Sequence, residues 1–130
     1  MHKKLFYEYA VIRVVPKVER GEFVNVGIIL FCKTARYIGM KYEIDREELS
    51  GYSSELDIDL LLQTIASFKT MAYGESGGGE ISRLDMVERF RWLTAVRSTC
   101  LQTSTPQHGF TTDPVRTLEM LFDEYVGDDV

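Results

Sequence analysis

The chain has 130 residues, 45% of them apolar, with 20 acidic and 15 basic side chains and a net charge of −5. That length fits one domain over residues 1–130 with a core of its own, so no metal or disulfide staple is required. The acidic balance disfavours sequence-independent nucleic-acid binding, which relies on a positive surface.

The opening "MHKKLFYEYAVIRVV" has the outline of a secretory leader. Glu8 and Arg13 interrupt its apolar run, and no small-residue cleavage site follows. No run is long enough for a transmembrane helix. Cys32 and Cys100 form no CxxC pattern and read as reduced, buried thiols. The expectation is a cytoplasmic protein without a membrane span.

Residues 6–15, "FYEYAVIRVV", are rich in β-branched and aromatic side chains and predict a strand that Pro16 ends. "KVERG" supplies a turn, with Gly21 at positive φ, and residues 22–32 predict a second, antiparallel strand. "RYIGMKY", 36–42, predicts a third, which completes a meander. Residues 45–52 predict one helical turn capped by Asp45 and stopped by Gly51.

From Glu55 to Ala72 the period becomes helical, with Ile58, Leu61, Leu62, Ile65, Phe68 and Ala72 on one stripe. "YGESGGGE", 73–80, predicts a loop. A helix is expected over 82–96, with Ser82 as N-cap and Asp85 near the positive end of its dipole. Met86, Phe90 and Leu93 form its core stripe, and Arg83, Arg89, Arg91 and Arg97 turn mainly toward water. Residues 98–104 predict a fourth strand and "TPQHGFTT" a loop. Asp113-Pro114 then opens a final helix with a Leu118, Leu121, Phe122, Tyr125 stripe. The expected class is α+β: a small antiparallel sheet, a three-strand meander plus a fourth strand, with about three helices packed on one face.

Strand parity points to a candidate site. Val24, Val26, Ile28 and Leu30 are expected on the core face of the second strand, with Phe23, Asn25, Gly27, Ile29 and Phe31 opposite. Ala10, Ile12, Val14, Ile38 and Met40 join the core side. The reverse side then carries Arg13, Asn25 and Lys41, with Arg20 and Glu22 at the hairpin end. Gly27 either marks a bulge or lets something approach the backbone closely. Two readings follow. In one, the polar residues only build the hairpin end, with Glu22 paired to Arg20 or Arg13. In the other, Arg13, Arg20, Asn25 and Lys41 form a recognition face for an anionic group or a partner loop. Trp92 lies off its helix stripe and is a candidate partner anchor.

The segments "YAVIRVVP" and "ERGEFVNVGIILF" resemble a bacterial family catalogued only as a domain of unknown function. Its signature positions are Tyr9, Arg13, Pro16, Arg20, Gly21, Glu22, Asn25, Val26 and Gly27 here. The C-terminal "TDPVRTLEMLFDEYV" is similar to that family's ending. Members are often encoded beside a HipA-like kinase-fold protein, so the resemblance implies a kinase-fold partner and supplies no catalytic residue.

Other constellations carry less. His2 and His108 lack ligand-pair spacing, so no metal or cofactor is expected. The triple glycine at 77–79 lacks the Gly-Lys-Ser/Thr ending of a phosphate loop. Cys100, eight residues before His108, sits among strand formers and reads as packed. Glu43, Asp45, Glu47 and Glu48 complement a helix start. The sequence therefore predicts a non-enzymatic binding or accessory protein. The alternative is an enzyme or binder acting on a phosphorylated or nucleic-acid ligand through the Arg/Lys/Asn face. Self-association through a sheet edge is a third expectation.

Overall fold

The computed structural model describes residues 3–16, 21–51, 56–95 and 99–127. Three strands open the chain: β1 (Leu5–Val14), β2 (Val24–Cys32) and β3 (Tyr37–Tyr42). Helices α1 (Arg46–Ser50), α2 (Ile58–Ala72), α3 (Gly79–Arg83) and α4 (Met86–Leu93) follow. Strands β4 (Leu101–Thr103) and β5 (Gln107–Thr111) and helix α5 (Pro114–Tyr125) complete it. This is the α+β class expected, with the meander in place.

All pairings are antiparallel. The order is β3-β2-β1, and both β4 and β5 lie along the remaining edge of β1. β4 pairs with Ile12–Val14 and β5 with Leu5–Tyr9. Residues 104–106 interrupt what would be one strand. The Ser104 hydroxyl accepts from the Val11 N–H at 2.8 Å, while the Ser104 N–H donates to the Val11 carbonyl at 2.8 Å. Pro106 has no N–H to continue a ladder. The reading of 105–112 as a loop is thus corrected: its turn-rich composition breaks a strand rather than excluding one.

The helix ends follow their caps. Asp45, Asp57, Asp85 and Asp113 each accept from a backbone N–H in the first turn of α1, α2, α4 and α5. The helix expected over 82–96 is two pieces, and Asp85 rather than Ser82 caps the longer one. Arg89 does not face water. Its Nε donates to the Ala72 carbonyl at 3.1 Å and another guanidinium nitrogen to the Leu84 carbonyl at 2.8 Å. It ties the end of α2 to the start of α4.

The sheet is covered on both faces, which corrects the one-face expectation. Ala10, Ile12, Val14, Ile38 and Met40 pack under α2 and α4, against Leu61, Ile65, Phe68, Phe90 and Leu93. Val11, Ile28, Leu30 and Cys32 pack on the other side against Leu118, Leu121 and Phe122 of α5. The reason lies in β2. Ile12 pairs with Gly27 and Arg13 with Asn25, so Val26 is an extra residue in a β-bulge. The bulge reverses parity partway along the strand. Val24 and Val26 face α2 as expected, but so do Ile29 and Phe31, while Ile28 and Leu30 turn to α5. Both faces of β2 become apolar, and each needs a cover. Among the described residues, no helix is long and apolar enough to cross a membrane.

Candidate functional site

The bulge determines where the polar residues of the hairpin stand. It puts Asn25 directly opposite Arg13 and on the same side of the sheet, beside the C-terminal end of α5. Gly27 follows the bulge directly. A Cβ there would lie 2.6 Å from the Lys41 carbonyl oxygen and 2.8 Å from Tyr42 Cβ. The close approach expected at Gly27 is therefore made by β3 itself.

Asn25 is bound on one side only. Its Nδ2 donates to the Tyr125 carbonyl at 3.2 Å, one of the carbonyls that α5 leaves open at its end. Its Oδ1 is shielded from solvent and has no hydrogen-bond partner. Arg13 stacks its guanidinium over the exposed Phe23 ring, 4.2 Å from the centroid. The Arg13 Nε is likewise shielded and unpartnered. One donor and one acceptor thus stand on adjacent strands, both removed from water and both unanswered. Such groups cost roughly 1–3 kcal/mol each until something pairs with them.

Tyr125 fixes this corner. Its carbonyl takes the Asn25 bond, and its hydroxyl meets the Tyr9 hydroxyl at 2.8 Å. Burial, then the hydrogen bond to Tyr125, pushes the Tyr9 phenol well above its ordinary pKa. Burial also raises Tyr7, with Glu124 adding to it, and raises Tyr37, with Tyr73 adding. A cleft of about 250 Å³ adjoins Asn25, lined also by Glu43, Asp45, Glu48 and Val126. Asp45 holds the α1 cap there, accepting from the Glu47 and Glu48 N–H groups at 3.0 and 3.2 Å.

The remaining predicted residues do not converge on Arg13 and Asn25. Lys41 shares their side of the sheet but is engaged along α5. It forms an ion pair with Glu119, and its ammonium lies 4.5 Å from the Phe122 ring centroid. Glu22 is exposed beside Phe23. Trp92, 43% exposed, belongs to α4 and therefore to the opposite layer. Arg20, His2 and Arg97 lie outside the described residues. The broad cationic recognition face expected from parity is not assembled: α5 covers it and Glu119 neutralises Lys41. What stands in its place is the smaller Arg13–Phe23–Asn25 group. Parity placed Phe23 on the side of Asn25 without showing its contact with Arg13, and it had no means of finding Tyr125, which arrives from 100 residues away.

Among the described residues, no group of three or more His, Cys, Asp or Glu side chains could hold a metal ion. Cys32 and Cys100 are free thiols, Cys32 buried and Cys100 partly so. No curated protein and no solved structure matches the chain. A family model does match, over residues 9–126, from the tyrosine at the centre of β1 to the residue after α5. The chain therefore belongs to the family described as "Protein of unknown function (DUF3037)".

Proposed function

We propose that the chain is a non-enzymatic binding protein of the bacterial cytoplasm that docks a partner protein at the Arg13–Phe23–Asn25 corner. The observation that carries this is the pair of buried, unanswered groups, Arg13 Nε–H and Asn25 Oδ1, in facing register beside an exposed phenylalanine. Phe23 offers apolar area beside them, and a partner that displaces its ring from Arg13 would bring the C=O and N–H of a peptide group to a donor and an acceptor that solvent does not reach. The partner implied by the family resemblance is a HipA-like kinase-fold protein. A phosphorylated or nucleic-acid ligand finds less support, because Glu43, Asp45 and Glu48 line the adjoining cleft and Glu119 already occupies Lys41.

The test is gentle affinity capture of the full chain from its native host, repeated by co-expression with a kinase-fold neighbour. Recovery of that protein in stoichiometric amount is expected. Phe23→Ala and Asn25→Leu should each weaken capture at least about tenfold, which is ~1.4 kcal/mol. Both should leave thermal unfolding close to wild type, since Phe23 is exposed and Asn25→Leu loses one hydrogen bond together with an unpaired buried acceptor. A chain recovered alone, or variants that capture as well as wild type, would overturn the proposal.

A further inference from the structure

The two edges of the sheet are treated differently. At the β3 edge, the Tyr73 hydroxyl accepts from the Met40 N–H at 3.0 Å and lies 3.4 Å from the Met40 carbonyl oxygen. Lys41 adds a charge to the same strand. A side chain and a charge are the usual means by which an edge is closed to further pairing. The β5 edge has neither. Its sequence is Gln107-His108-Gly109-Phe110-Thr111, with no acidic residue, lysine or proline, in a chain of net charge −5. Among the described residues, no strand pairs along its outer side.

The strand is also chemically symmetric about its centre: polar, aromatic, glycine, aromatic, polar. His108 and Phe110 share a face with Phe6 of β1. The Phe6 and Phe110 rings meet edge-on at 5.7 Å, and Phe6 and His108 lie 5.6 Å apart. Phe6 is 46% exposed and Phe110 66%. On the reverse side the Tyr7 ring covers Gly109, where a Cβ would meet the Tyr7 hydroxyl oxygen at 2.8 Å. A side chain at 109 would thus displace the ring that shields the bare backbone.

We propose that two copies of this chain pair through their β5 strands, antiparallel about a two-fold axis at Gly109. That register sets His108 opposite Phe110 of the second copy, and Gln107 opposite Thr111. It brings no like charges together, and an isologous contact needs only this one self-complementary strand. Each sheet face continues across the axis, so Phe6 and Phe110 of one copy join His108 of the other in a single aromatic row. The same row repeats in reverse on the other side of the axis. Cross-strand aromatic pairs are the kind of contact that stabilises a sheet. Per copy, Phe6 and Phe110 leave roughly 200 Å² of ring surface open, against about 800 Å² per partner in a stable interface. The contact is small, and the dimer is accordingly reversible. This contact is separate from the Arg13–Asn25 corner, and either can fail without the other.

Sedimentation velocity of the full chain over a concentration series tests it. Wild type should move from 14.9 kDa toward twice that mass, with amide exchange at 107–111 slowing as concentration rises. Phe110→Glu should weaken association at least about tenfold without changing the thermal midpoint, because the side chain is mostly exposed. The double variant His108→Lys/Phe110→Glu should restore it, because in this register position 108 of one copy faces position 110 of the other. A wild type that stays monomeric throughout, a dimer indifferent to Phe110→Glu, or no rescue by the double variant would overturn the proposal.

Discussion

Gly27→Ala is the sharpest test of the close approach between β2 and β3 beside the bulge. The added methyl would stand 2.6 Å from the Lys41 carbonyl oxygen, 2.8 Å from Tyr42 Cβ and 3.2 Å from Tyr42 Cα. These atoms are backbone or attached directly to it, so no side-chain rotation relieves the contact. β3 must shift, and the Glu43 N–H to Val26 carbonyl bond, 2.8 Å long, is strained with it. Overpacking of this kind costs about 1–3 kcal/mol. The alanine recovers about 0.4–1 kcal/mol by restricting the unfolded chain. The net loss is then about 1–2 kcal/mol, or roughly 3–8 °C in Tm for a chain of this size. Urea unfolding followed by circular dichroism would show a lowered midpoint with unchanged slope. A Gly27→Ala protein as stable as wild type would refute the close β2–β3 approach at Gly27.

Phe90 is fully buried and packs 5.4 Å from Phe31, so Phe90→Ala should cost about 3–5 kcal/mol in denaturant unfolding. Asp113→Ala removes the acceptor for the Arg116 N–H and should cost about 1 kcal/mol, with helicity lost chiefly from α5. Tyr7, Tyr9 and Tyr37 have folded-state pKa values raised by burial, so the unfolded chain ionises first. Their contribution is complete below about pH 10 and is lost as pH climbs through the raised values. Phenolate absorbance should show a late-titrating fraction that is lost in Tyr7→Phe, Tyr9→Phe and Tyr37→Phe, whereas ordinary titration of all three would contradict their burial.

Much of the fold was legible because local chemistry set it. Asp113-Pro114 marked the start of α5, and Asp45 and Gly51 bounded α1, because caps act within one turn. The parity of β1 and β3 was also readable, since nothing interrupts their alternation. The parity of β2 was not. A bulge is set by the partner strand, and Gly27 signalled the event without saying which way the remaining residues would turn. β5 was missed because Pro106 and Gly109 are turn residues by composition, while its pairing is supplied by Phe6, Tyr7 and Glu8 about 100 residues earlier. Of the candidate site, the placing of Arg13 and Asn25 on one side of the sheet was legible, and their direct pairing was not. The ion pair that ties Lys41 to Glu119 was not legible, because its partner comes from α5, the last helix in the chain.

Hydrogen–deuterium exchange of the chain with and without its captured partner tests the central claim most directly. Docking at the corner should slow exchange over Val11–Val14 and Phe23–Val26 and leave β5 unchanged at low concentration. Protection confined to β5, to α4 around Trp92, or absent altogether would mean that the lone donor and acceptor on β1 and β2 are not where another protein engages.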